Sequence, residues 1–107
     1  MRALIAHVLR AEGFDVCEAA DADQTVSQWR EVRPDVIVLD QRMSPTTGME
    51  VAESILAAEP TQVIFLFTAF VDAEIRAEAK RVGIAACVSK DQVFEIPALV
   101  RAHFSRE

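Results

Sequence analysis

Two runs, VIVL (36–39) and VIFLF (63–67), contain no polar side chain at any position. A strand with one face in water alternates apolar and polar residues. A run that is apolar throughout belongs to a strand covered on both faces, the condition met in parallel sheets layered between helices. The sequence around these runs fits that requirement. Residues 2 to 12 place Leu4, Ile5, Val8 and Leu9 on one helical face, and Gly13 suits a left-handed cap. FDVCEA (14–19) reads as a short strand. Asp21, with Gln24 three positions on, caps a helix through about Val32 whose apolar side is Val26, Trp29 and Val32.

After Arg33-Pro34 comes the strand DVIVLD (35–40). Thr47 and Glu50 form a capping box for a helix running to about Ala58, and TQVIFLFTAF (61–70) is the next strand. Asp72 starts a helix that ends near Gly83, IAACVSK (84–90) is a strand, and residues 92 to 105 hold a last helix with Pro97 in or near its first turn. The order αβαβαβαβα predicts an α/β fold, a doubly wound parallel sheet.

Composition narrows the function. The 107 residues suit one domain, and with 51% apolar residues the chain can bury a core. A net charge of −6 argues against nucleic acid or an anionic membrane as the main partner. No apolar run approaches a bilayer span, and MRALIAHVLRAEG carries charges where a secretory leader would be apolar, so the cytoplasm is the expected compartment. Cys17 and Cys87 lack metal-type spacing and read as buried thiols.

In a doubly wound sheet, ligands bind beyond the carboxyl ends of the strands. The predicted strand ends are Asp40, Thr68 and Lys90, so an acid, a hydroxyl and a cation meet at one rim. A carboxylate can attack phosphorus and form an acyl phosphate. Phosphoryl transfer then needs charge on the equatorial oxygens neutralised, by an ammonium, a hydroxyl and usually a divalent cation.

At these residues the sequence resembles the receiver domain of two-component response regulators, from the family's first helix to its last. VIVLD resembles the strand carrying the phosphoacceptor aspartate, which implies that role for Asp40. DQRMSPTTG keeps the family's methionine, Met43, and glycine, Gly48. FLFTA resembles the strand with the hydroxyl, Thr68, and the small residue that leaves the site open, Ala69. VSK resembles the strand with the phosphate-binding lysine, Lys90. The resemblance implies a flavodoxin-like fold and phosphoryl transfer from a histidine kinase or phosphotransfer protein, with signalling to a downstream protein partner. It also implies a magnesium ion held by Asp40 and the backbone carbonyl of Arg42.

The departures are equally specific. The family's first strand, which ends in an acidic pair that holds magnesium, has no counterpart, because the sequence opens inside what resembles the first helix. The family's switch aromatic is Cys87. Its proline after the lysine is Asp91, which is expected to cap the last helix. An absent central strand removes about four buried apolar side chains, about 6–12 kcal/mol, against a typical domain stability of about 5–15 kcal/mol. An isolated monomer is therefore expected to be marginal. The sheet re-forms, a second chain fills the gap in a homodimer, or the natural chain begins further upstream.

Two function classes follow. One is a stand-alone phosphoacceptor receiver without an output domain, not itself an enzyme; the alternative is a pseudo-receiver, an interaction module that no longer takes phosphate. A hydrolytic phosphatase with an aspartate nucleophile would carry a second acid where this sequence has Arg42.

Overall fold

The computed structural model describes residues 2 to 43 and 45 to 104. Its elements run α1 (Arg2–Ala11), α2 (Ala22–Val32), β1 (Val36–Asp40), α3 (Gly48–Ala58), β2 (Val63–Thr68), α4 (Ala73–Val82), β3 (Ala86–Ser89), a 3₁₀ helix (Lys90–Glu95) and α5 (Ile96–Phe104). The three strands form one parallel sheet in the order β1-β2-β3.

Helix boundaries follow the capping chemistry. Asp21 accepts a hydrogen bond from the Gln24 amide at 2.8 Å, and Asp72 accepts one from the Ile75 amide at 2.8 Å. Thr47 and Glu50 form a reciprocal capping box at the start of α3. Gly13 and Gly83 take the positive φ that ends α1 and α4, where a side chain would be strained. Arg33 does the same for α2, a left-handed cap that nothing in the sequence announces.

Strand alternation divides the core between the two faces of the sheet. Ile37, Leu39, Ile64 and Leu66 pack with Trp29, Val51, Ala52, Ile55 and Ala79 from the α2, α3 and α4 layer. Phe65, Phe67 and Val88 pack with Val93, Ile96 and Val100, and with Ile5 and Leu9 of α1, on the other. Helices on both faces of a parallel sheet make this the expected α/β, doubly wound architecture.

Several expectations are corrected. FDVCEA is not a strand: it carries no regular structure and pairs with nothing in the sheet, because the neighbour that would hold it in a ladder is not there. Direct pairing of this segment with β1, one way of closing the sheet, is accordingly not found. On α1, Leu4 is exposed while Ala6 and Val8 are buried, and on α2 Val32 is exposed. Cys17 is exposed and Cys87 half-buried, so neither is the fully buried thiol expected. The last helix is divided: a 3₁₀ helix begins at Lys90 itself and kinks at Gln92 before α5 starts, with Pro97 as its second residue. Asp91 lies inside the 3₁₀ helix instead of capping; the Ser89 amide is satisfied by Gln92 Oε1 at 3.2 Å. Ser105, the expected end of that helix, lies outside the described residues.

Candidate functional site

The parallel register brings the three strand ends level. Asp40 pairs with Phe67, one position before Thr68, while Thr68 pairs with Ser89, one position before Lys90. Lys90 opens the 3₁₀ helix directly after β3, and its ammonium lies 3.1 Å from Asp40 Oδ2. Both side chains retain partial exposure, 32% for Asp40 and 23% for Lys90. Asp40 Oδ1 accepts a hydrogen bond from the Arg42 amide at 3.0 Å. Thr68, on the opposite alternation, is buried at the end of β2.

The loop after β1 is shaped by Gln41 and Gly48, and Gln41 is the part that sequence reasoning missed. The Gln41 amide donates to Phe67 O at 2.9 Å, its carbonyl accepts from the Gly48 amide at 3.1 Å, and its Oε1 accepts from the Met49 amide at 2.9 Å. A glutamine after a strand carries no signal of this triple role. Gly48 did carry one: a Cβ there would lie 2.9 Å from the Asp40 carbonyl carbon and closer still to its oxygen, so the loop folds onto the Asp40 backbone only with glycine. Met43 anchors the same loop against the core.

Ala69 lies just beyond Thr68 and borders a shallow depression of about 560 Å³ shared with Phe70, Arg76, Ser89 and Asp91. Cys87 is not at the rim. It packs on the α3–α4 side of the sheet, where burial pushes its thiol pKa up and the nearby Arg76 guanidinium partly opposes that.

The residues present are a poor fit to a magnesium ion. Asp40 is the one strand-end carboxylate, and it is already engaged by Lys90 and the Arg42 amide. Glu18, also beside the cavity next to β1, is held by Arg2 and Arg10, each at 3.3 Å. Among the described residues no group of three His, Cys, Asp or Glu side chains could hold a metal. One committed carboxylate and a carbonyl are a poor match to a cation that favours carboxylate-rich octahedral sites.

Comparison with known proteins identifies this arrangement. The model of the response regulator receiver domain matches residues 1–101. The chain belongs to the response regulator receiver domain family. It is similar to a cyclic di-GMP phosphodiesterase of Thermotoga maritima, 30% identical over 105 residues, 98% of this chain and 28% of that protein. It is also 40% identical over 67 residues to a protein-glutamate methylesterase/protein-glutamine glutaminase of Haloarcula marismortui, 62% of this chain and 18% of that protein. The chain thus spans less than a third of these two curated relatives. Among solved structures, the receiver domain of the Francisella response regulator 1452 superposes with a TM-score of 0.90 at 19% identity, covering 98% of this chain and 88% of that one. Chemotaxis protein CheY4 of Vibrio cholerae gives 0.83 at 26% identity, covering 98% and 87%. Receiver domains interact with histidine kinases or phosphotransfer proteins, often dimerise, and typically bind Mg²⁺ where they are phosphorylated. No helix among the described residues is long and apolar enough to cross a membrane.

Proposed function

We propose that this receiver accepts a phosphoryl group on Asp40 in a cytoplasmic histidine-to-aspartate relay, signalling through a protein partner without itself being an enzyme. The observation that carries the reading is the Lys90 ammonium 3.1 Å from Asp40 Oδ2 at a rim that also holds Thr68. An Asp40 carboxylate oxygen attacks the phosphorus of a phosphohistidine. The P–N bond breaks, its electron pair stays on the imidazole nitrogen, and Asp40 becomes an acyl phosphate. Lys90 then follows the negative charge to one phosphoryl oxygen, and the Thr68 hydroxyl donates to a second. Ala69 leaves the room in which these oxygens sit. Because Cys87 stands on the α3–α4 side, with no aromatic ring at that position, the phosphorylated state is read through Thr68 and the β2–α4 loop.

A second reading, the pseudo-receiver that works as a phosphorylation-independent interaction module, is favoured by the single committed carboxylate at the rim. One experiment separates the two. The chain is incubated with a small acyl phosphate and magnesium, and intact mass is followed. Slow addition of one phosphoryl group that disappears in Asp40→Asn supports the acceptor reading. Absence of any addition over hours, in folded protein, leaves the interaction module.

A further inference from the structure

Gln41 stands at the junction of β1, β2 and α3. Its amide donates to Phe67 O at 2.9 Å, which carries the β1–β2 ladder one position past Asp40 and ties it to the residue before Thr68. Its carbonyl accepts from the Gly48 amide at 3.1 Å, and its side-chain Oε1 accepts from the Met49 amide at 2.9 Å. The first amides of a helix have no partner within the helix. In α3 the Glu50 amide is met by Thr47 Oγ1 at 3.2 Å and the Thr47 amide by Glu50 Oε1 at 3.1 Å. Those of Gly48 and Met49 are met by Gln41, so part of the α3 cap comes from the end of the strand, across the loop.

The same residue is the middle of the turn that holds the Asp40 carboxylate. Asp40 Oδ1 accepts from the amide of Arg42, two positions on, which is the hydrogen bond of an Asx turn. The backbone angles of the middle residue decide whether that amide points at the carboxylate. Gln41 is fixed on both sides, its amide to β2 and its carbonyl and side chain to α3. With Oδ1 tied to Arg42, rotation of the carboxylate is restricted, and Oδ2 is the oxygen turned to Lys90. Met49 is buried, so loss of the Gln41 acceptor leaves its amide poorly supplied with alternatives and favours reopening of the loop.

We propose that Gln41 is a positioning residue for Asp40. By capping α3 with its side chain it locks the Asx turn, and so aims the Asp40 carboxylate at the rim where Lys90 and Thr68 stand. The proposal rests on Asp40 as the phosphoryl acceptor, and Gln41 acts on it through the Arg42 amide. Side-chain chemistry separates this role from plain helix capping. Methionine matches glutamine in length but lacks the amide acceptor, asparagine keeps the acceptor on a side chain one methylene shorter, and glutamate keeps both length and acceptor. Thr47 supplies the other part of the α3 cap and takes no part in the turn at Asp40.

The test compares Gln41→Met, Gln41→Glu and Thr47→Ala with the unaltered chain. The protection factor of the Arg42 amide, from hydrogen exchange followed by NMR, reads the turn. Intact mass during incubation with a small acyl phosphate and magnesium reads Asp40. In Gln41→Met the Arg42 protection factor should fall about tenfold, as expected for one lost hydrogen bond at a helix end. Asp40 should then be modified about tenfold more slowly per folded molecule. Gln41→Glu should restore the protection of Arg42. Thr47→Ala should lower Tm and leave both readouts at their original values. Should Gln41→Met not fold, Gln41→Asn carries the same expectation. Unaltered protection of Arg42 in folded Gln41→Met or Gln41→Asn would overturn the proposal. Equal loss in Thr47→Ala would also overturn it, by reducing Gln41 to a helix cap. The exchange measurement needs no phosphoryl donor, so a chain never modified at Asp40 would refute the acceptor reading while Arg42 still decides on Gln41.

Discussion

Cys87 is raised in pKa by desolvation, against the lowering influence of Arg76, and the sign of that shift fixes its effect on stability. The protonated thiol is the neutral form, so the folded state holds the proton more tightly than the unfolded state. Its contribution is complete below the unfolded pKa of about 8.5 and is lost as pH rises through the folded value. The chain has no Tyr to titrate in the same range. Urea denaturation at pH 7 and pH 9.5 should therefore show an alkaline loss of stability that is smaller in Cys87→Ala. At neutral pH, iodoacetamide should label exposed Cys17 well before Cys87. Equal labelling rates would refute the thiol's protected state. Gly48 provides a steric counterpart at this scale. Because the obstacle to a Cβ is the Asp40 main chain and not a flexible side chain, Gly48→Ala should cost about 1–3 kcal/mol and displace the loop that presents Asp40. The measurement is the urea midpoint together with the acyl phosphate reaction rate, both of which should fall.

Among the elements, those whose instructions are local were legible in the sequence. Thr47 with Glu50, Asp21, Asp72 and Gly83 each terminate a helix where their chemistry dictates, and the VIVL and VIFLF runs are strands because apolarity at every one of their positions leaves little alternative. FDVCEA fails for the opposite reason: its strand character depends on a partner, and propensity without a ladder does not make a strand. The site was legible to the extent that strand ends locate it, as Asp40 at the end of β1 and Lys90 directly after β3 show. The Gln41 network was not, since it exists only once the loop has closed. The 3₁₀ helix was hidden by Asp91. Here the absence of proline lets Lys90 take helical backbone angles, with the kink deferred to Gln92. A proline disfavours the helical region in the residue before it. Asp91→Pro should therefore unwind the start of this helix and move the Lys90 ammonium away from Asp40. A crystal structure of this variant should show the Lys90 ammonium beyond ion-pair distance of Asp40, whereas an unchanged contact would mean that Lys90 is held independently of the helix.

At the scale of the whole molecule, the polar contacts that attach α1 are exposed. Apart from its apolar contacts, it is held to α5 through Arg101, which meets Glu12 Oε1 and the Glu12 carbonyl, each at 2.8 Å, and lies over the Phe14 ring at 5.2 Å. These groups are exposed, and exposed ion pairs contribute about 0–1 kcal/mol. On the side facing β1, α1 has only half-buried Val36 and Val38 opposite it. A half-buried β1 edge and a helix tied by exposed polar contacts together predict a marginal monomer that repairs itself by exchanging α1 with a second copy, since that exchange lets two chains rearrange around the free edges of both β1 strands. Light scattering at micromolar concentration should accordingly find a homodimer whose Tm rises with chain concentration. Arg101→Ala should raise the dimer fraction by loosening α1. A monodisperse monomer with a high, concentration-independent Tm would show that the apolar contacts of α1 suffice, and would refute the exchange.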